Sequence, residues 1–175
     1  MRQSPRGQPR DRVYDRAACA DGDEVNGHSK RAFFVGPIAI SVFRCRVRGN
    51  GHDEVGCRVE MQRLHQRVWP DRRVPTVYVL DEPLWRADFL TLDGSEPGSL
   101  NRAHYHPHFE GRTPCKRAYD PSLTADPTRW LERQLDDMPL LLRAAGADDI
   151  AHLADQHEVD AMTPSICQAV LELLP

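Results

Sequence analysis

Three of the chain's eight histidines, His104, His106 and His108, stand at alternate positions, and Glu110 continues the alternation. In an extended chain residues two apart point to one side, so at about 3.3 Å per residue these four side chains would line one face over roughly 20 Å. Neutral imidazole ligates metals, and together with carboxylate it suits a divalent ion such as zinc, iron or manganese. His104, His106, His108 and Glu110 are all of ligand type for that chemistry. The same rings transfer protons near neutrality, so two of them could instead be the base and acid of a metal-free hydrolysis. A plainer use is an imidazole-rich loop or edge strand held by local hydrogen bonds. Pro107 points to an edge or a bulge, because proline donates no ladder hydrogen bond.

The elements that must position this segment read first as strands. Ile38, Ile40 and Val42 share one parity, and Phe43, Cys45 and Val47 take the other. The switch predicts a bulge, or a first half buried on both faces. Gly49, Asn50 and Gly51 are turn residues, and Val55, Cys57, Val59 and Met61 then alternate with Arg58, Glu60 and Gln62, which makes a β-hairpin. A turn centred on Gly51 sets Val47 opposite Val55, Cys45 opposite Cys57 and Phe43 opposite Val59, with the thiols as small core residues. Arg44, Arg46, Arg48 and Arg58 would then share the solvated face. Residues 65–75 read as a loop, residues 76–80 as a short strand stopped by Asp81, Glu82 and Pro83, and residues 84–92 as the next strand. In that strand Trp85, Ala87 and Phe89 face inward, leaving Arg86 and Asp88 on the other side.

Helical signals dominate the last third. Asp126 before Pro127 is an N-cap followed by proline in the first turn, and Leu131, Leu135, Met138 and Leu142 follow at helical spacing. Pro139 should kink or divide this helix, Gly146 should end it, Asp148 should open another, and Thr163 with Pro164 should cap the last. The expectation is an α+β fold: an antiparallel sheet over residues 32–110 with C-terminal helices over 126–174 packed on one face. Residues 32–175 would form a single domain. Residues 1–31, whose first twelve are rich in Arg, Gln, Pro and Gly, read as a disordered or processed extension.

Composition narrows the function classes. With 40% hydrophobic residues, no apolar run near the ~20 residues of a membrane span and no secretory-type apolar core, a cytoplasmic protein with no membrane partner is expected. Residues 1–48 carry ten Arg or Lys against five Asp or Glu, residues 49–117 ten of each, and residues 118–175 three against eleven. A basic front and an acidic back suit an anionic partner at one end. The five cysteines form no C-x-x-C pair, which excludes a zinc ribbon or a thioredoxin-like centre. There is also no internal repeat, no Gly-rich phosphate loop, no G-x-S-x-G and no H-E-x-x-H.

Two resemblances attach to particular residues. Gly98, His104, His106 and Glu110 have the spacing of the first half of the cupin metal motif, in which two histidines and a glutamate hold a divalent ion inside a β-barrel. The glycine expected seven residues after the glutamate is Arg117 here, and no second motif follows. The order of hairpin, Arg86-x-Asp88 strand, histidine segment and a helix opened by Asp126 and Pro127 resembles the TumE-type bacterial toxin family over residues 34–140. This chain has a longer loop after Asp88 and an added helical tail. That resemblance implies a toxin-like hydrolase or nuclease acting on RNA, with a small antitoxin-like protein as partner. In that reading two of His104, His106 and His108 are base and acid, Arg86 or Arg102 meets the developing phosphorane charge, and Asp88 orients an imidazole. A non-enzymatic interaction module, engaging a protein through its charged surfaces, is the remaining alternative.

Overall fold

The computed structural model describes residues 12–15, 24–25, 30–49, 51–67 and 77–175. The strands are β1 (Arg12–Asp15), β2 (Glu24–Val25), β3 (Arg31–Val35), β4 (Ile38–Val47), β5 (Glu54–Arg67), β6 (Val77–Leu92) and β7 (His104–His106), of which β1, β2 and the first residue of β3 fall in the stretch expected to be an extension. β3, β4, β5, β6 and β7 pair antiparallel in that order, β2 extends the β3 edge of β4, and β1 runs parallel to the start of β6. A two-stranded ribbon of β8 (Phe109–Glu110) and β9 (Thr113–Pro114) follows β7. The rest of the expected extension over residues 1–31 lies outside the described residues.

The helices are α1 (Pro121–Ala125), α2 (Pro127–Leu135), α3 (Met138–Ala144), α4 (Asp148–Ala151) and α5 (Gln156–Leu173). They pack on one face of the sheet, so the chain has the expected α+β architecture. Asp126 caps α2 by accepting from the Arg129 amide at 3.0 Å, and Pro139 sits in the first turn of α3, dividing the periodic run as anticipated. Thr163 and Pro164 do not begin the last helix. Asp155 caps it eight residues earlier, and Pro164 lies inside it on the exposed side, where the one carbonyl it deprives of a partner, that of Asp160, can turn to water.

The sheet has two unlike faces. Towards the helices, Ile38, Ile40, Val42, Val59, Met61, Trp85 and Phe89 meet Leu131, Leu135, Ile166 and Val170. Trp130 is the hub, its ring 5.9 Å from Trp85, 6.2 Å from Phe89 and 5.3 Å from Tyr105. On the opposite face, among the described residues, Phe43, Cys45 and Leu90 form a small apolar cluster, with Val47 against it. Beside it on that face lie the buried polar residues Ser41, Arg58, Glu60, Gln62, Arg86, Asp88, His104 and His106.

Two local expectations are corrected. The β4–β5 register is one residue from that of a turn centred on Gly51: Val47 pairs with Glu54, Cys45 with Gly56, Phe43 with Arg58 and Val42 with Val59. A shift of one moves every side chain to the other face. The larger apolar set decides it, because this register stacks Val42 on Val59 and Ile40 on Met61 beneath the helices. The two thiols therefore lie on opposite faces, and Arg58 leaves the solvated row of Arg44 and joins the buried polar face. The parity switch in β4 is explained without a bulge: its first six residues are buried on both sides. Second, Pro83 does not stop a strand. β6 runs through it, and the β5–β6 register shifts there, where an irregularity spares the missing amide.

Candidate metal centre

The site follows from how β6 and β7 pair. With Trp85, Ala87 and Phe89 committed to the helix face, Arg86 and Asp88 must project from the other. β7 lays His106 beside Arg86 and His104 beside Asp88, and β5 lays Glu60 beside Arg86 and Arg58 beside Asp88. Residues directly opposite in a ladder point to one side, so six polar side chains from three strands converge.

Their bonding is specific. Arg58 Nε donates to Asp88 Oδ1 at 2.6 Å, leaving Oδ2 towards the imidazoles. His104 Nε2 lies 3.4 Å and His106 Nε2 3.8 Å from Asp88 Oδ2. The two rings are nearly perpendicular, at 84° with centroids 5.1 Å apart. Nδ1 of His104 lies 2.7 Å from the Arg102 carbonyl and Nδ1 of His106 2.6 Å from the Cys115 carbonyl. A carbonyl only accepts, so each Nδ1 carries a proton and donates it. In the neutral ring Nε2 is then the lone-pair nitrogen, and both lone pairs face the same carboxylate oxygen. Arg86 donates from Nε at 2.8 Å and Nη2 at 2.6 Å to Glu60 Oε2, with its guanidinium 5.1 Å from the Phe109 ring centroid.

Burial sets the charge states. Asp88 is 1% exposed, His104 1% and His106 6%. Burial by itself would raise the Asp88 carboxyl, but the Arg58 charge, helped by Arg86 and His104, overrides it and holds the group below the usual range. Burial lowers His104 below an ordinary histidine against the opposing pull of Asp88, and lowers His106 against the Cys115 carbonyl and Asp88. The result is an anionic carboxylate facing two imidazoles whose neutral form is favoured.

The structure thus brings Asp88, His104 and His106 together, their ligand-type atoms all within 4.8 Å of one another, and sets Arg86 beside them. It does not bring in His108 or Glu110. Pro107 ends β7 in a bend, the two-residue period is lost, and Glu110 is exposed in the β8–β9 ribbon opposite Thr113. The metal set drawn from His104, His106 and Glu110 is therefore replaced geometrically by His104, His106 and Asp88. The histidine segment and the Arg86-x-Asp88 pair do not by themselves point to Arg58, Glu60 and Arg117, which also surround or line this region. A readable signal existed for two of them: Arg58-x-Glu60 is the antiparallel charge complement of Arg86-x-Asp88. A hollow of about 210 Å3 opens in front of the group, bounded by Val47, Leu90, Pro114 and Arg117.

Comparison of the chain with family models, with curated proteins and with solved structures returns no match. Among the described residues no helix is long and apolar enough to cross a membrane.

Proposed function

We propose that this protein binds one divalent transition-metal ion between His104 Nε2, His106 Nε2 and Asp88 Oδ2, and uses it for hydrolysis in the adjoining hollow. The observation that carries the reading is the convergence of two Nε2 lone pairs on one carboxylate oxygen, with both Nδ1 protons already donated to backbone carbonyls. Without a cation three electron-rich atoms face one another. With one they become ligands, and the Nδ1–H bonds to carbonyls are the outer contacts that orient metal-bound histidines. Ligands ~2.1 Å from a tetrahedral ion stand about 3.4 Å apart; His104 Nε2 is already 3.4 Å from Asp88 Oδ2, and His106 Nε2, at 3.8 Å, would have to draw in. Two nitrogens and one oxygen suit zinc, iron or manganese. Three protein ligands leave a position for water, whose pKa such an ion lowers towards neutrality, generating a nucleophile. Arg58 keeps Asp88 oriented by holding Oδ1.

The test is metal analysis of untagged protein, with Co2+ substitution followed by visible absorption. A stoichiometric ion lost on Asp88→Asn or His104→Gln in protein that still folds supports the reading; absence of any bound or bindable ion refutes it.

Metal-free RNA cleavage, with a small antitoxin-like protein as partner, is the second reading. It is favoured by the placement of two imidazoles and Arg58, Arg86 and Arg117 around one hollow. Against it, each imidazole has Nδ1 tied to backbone and its Nε2 lone pair turned to Asp88 rather than to an incoming 2′-hydroxyl. RNA cleavage that persists in EDTA would favour this alternative.

A further inference from the structure

We propose that the hollow in front of the metal ligands receives a small oxyanion, a carboxylate or phosphate group of the substrate, with one oxygen on the metal and the others against Arg86 and Arg117. This rests on the metal reading above and specifies the substrate class for that site.

The charged groups lining the hollow are Arg58, Arg86 and Arg117 against the single carboxylate of Asp88. Glu60 and Glu54, which pair with Arg86 and Arg117, do not line the space. A ligand entering there therefore meets the guanidinium groups of Arg86 and Arg117 and not their paired glutamates. Arg86 is the better placed of the two. Glu60 takes its Nε and Nη2, Phe109 lies 5.1 Å from its guanidinium carbon, and Nη1 has no partner among the described residues. A guanidinium fixed on one edge with a terminal donor left over is pre-organised for an oxyanion. Arg117 stands at the rim, 39% exposed, with Nη1 and Nη2 each 3.0 Å from a Glu54 oxygen. Each of those nitrogens has a second N–H, and Tyr119 is the guanidinium's other side-chain partner. Size sets the other limit. At about 210 Å3 the hollow falls below the ~300–1,000 Å3 of pockets that enclose drug-sized ligands, so a monoester or a short organic acid fits better than a bulky substrate.

The test uses full-length protein loaded with Co2+, whose visible spectrum reports the ligands on the ion. Inorganic phosphate, acetate and, as an uncharged control, acetamide are titrated separately. The expected result is a saturable spectral change with phosphate or acetate and none with acetamide; which anion acts distinguishes a phosphate from a carboxylate substrate. The paired substitution Arg86→Gln with Glu60→Gln, which removes both buried charges together, should weaken the anion at least tenfold while the anion-free Co2+ spectrum persists. Should that pair unfold, the more exposed Arg117→Gln is expected to weaken the anion severalfold. A Co2+ spectrum indifferent to both anions, or equally responsive to acetamide, overturns the proposal and leaves the metal reading intact. The same holds if the variant that folds binds the anion unchanged. No Co2+ spectrum at all overturns both.

Discussion

Arg58→Met tests the electrostatics of the site directly. Arg58 is 5% exposed and Asp88 1%, and the Nε–Oδ1 bond of 2.6 Å is the closest link between them. Breaking a buried pair from one side costs about 3–5 kcal/mol, because the surviving charge keeps its desolvation penalty. The loss has a natural ceiling, since the carboxyl can take a proton instead. Protonating an ordinary aspartate at pH 7 costs about 4 kcal/mol, from ~1.4 kcal/mol per unit over the roughly three units to its usual range. The expected destabilisation of the metal-free protein is therefore about 3–4 kcal/mol at pH 7, or roughly 6–16 °C in Tm for a chain of this size. The sign with pH follows. In the variant burial raises the folded-state carboxyl above its unfolded value, so the folded form holds a proton that the unfolded form has released. The deficit relative to the parent protein should shrink as pH falls from 7 towards 4. A divalent ion on Oδ2 supplies the missing counter-charge, so saturating Zn2+ should raise Tm more in Arg58→Met than in the parent. The assay is thermal unfolding by circular dichroism, with and without Zn2+, at several pH values. Equal metal-free stabilities, or equal Zn2+ shifts, would refute the reasoning.

Other outcomes follow from the same geometry. Asp88→Asn should reduce metal affinity at least tenfold by competition against a chromophoric chelator, whereas His108→Gln and Glu110→Gln should leave it within about twofold, because neither side chain joins the converging group. Burial lowers the folded-state pKa of His104 and His106, so the unfolded chain binds protons first on acidification. Metal-free stability, read from urea midpoints, should therefore fall as pH drops through the ordinary histidine range near 6.5, and His104→Gln with His106→Gln should flatten that slope. Gly56→Ala should destabilise by about 2–4 kcal/mol in urea unfolding, because its Cβ would meet the Phe89 carbonyl oxygen at 2.2 Å and force β5 from β6.

What could be read before folding, and what could not, divides by range. The helix-facing parity of Trp85, Ala87 and Phe89 is a local period-two pattern, and with it came the outward placement of Arg86 and Asp88. The Asp126 cap and the break at Pro139 are equally local. Register is not. A turn containing Gly49, Asn50 and Gly51 allows more than one centre, and only the packing of Ile40 and Val42 under the helices selects among them. Pattern alone therefore assigns Arg58 to the wrong face, since charged residues alternating with apolar ones ordinarily mark a wet face. Glu110 failed for another: alternation holds only while the strand does, and Pro107 ends it.

The polar face also bears on why such a costly arrangement persists. Four ionised groups, Arg58, Glu60, Arg86 and Asp88, lie buried side by side on β5 and β6. Apolar residues of similar volume would commonly be as stable or more so, which makes buried ion pairs a weak source of stability. Their physical consequence here is orientation. Arg58 occupies Oδ1, so Asp88 presents a single oxygen to the imidazoles, and Glu60 fixes the guanidinium of Arg86 at their side. Each charge in the quartet has a counter-charge beside it within the sheet, so the carboxylate that faces His104 and His106 is set by the ladder before any ion arrives. On the metal reading, this rigidity spares the site reorganisation on binding, and replacing the whole quartet by apolar residues should keep the fold while abolishing metal affinity.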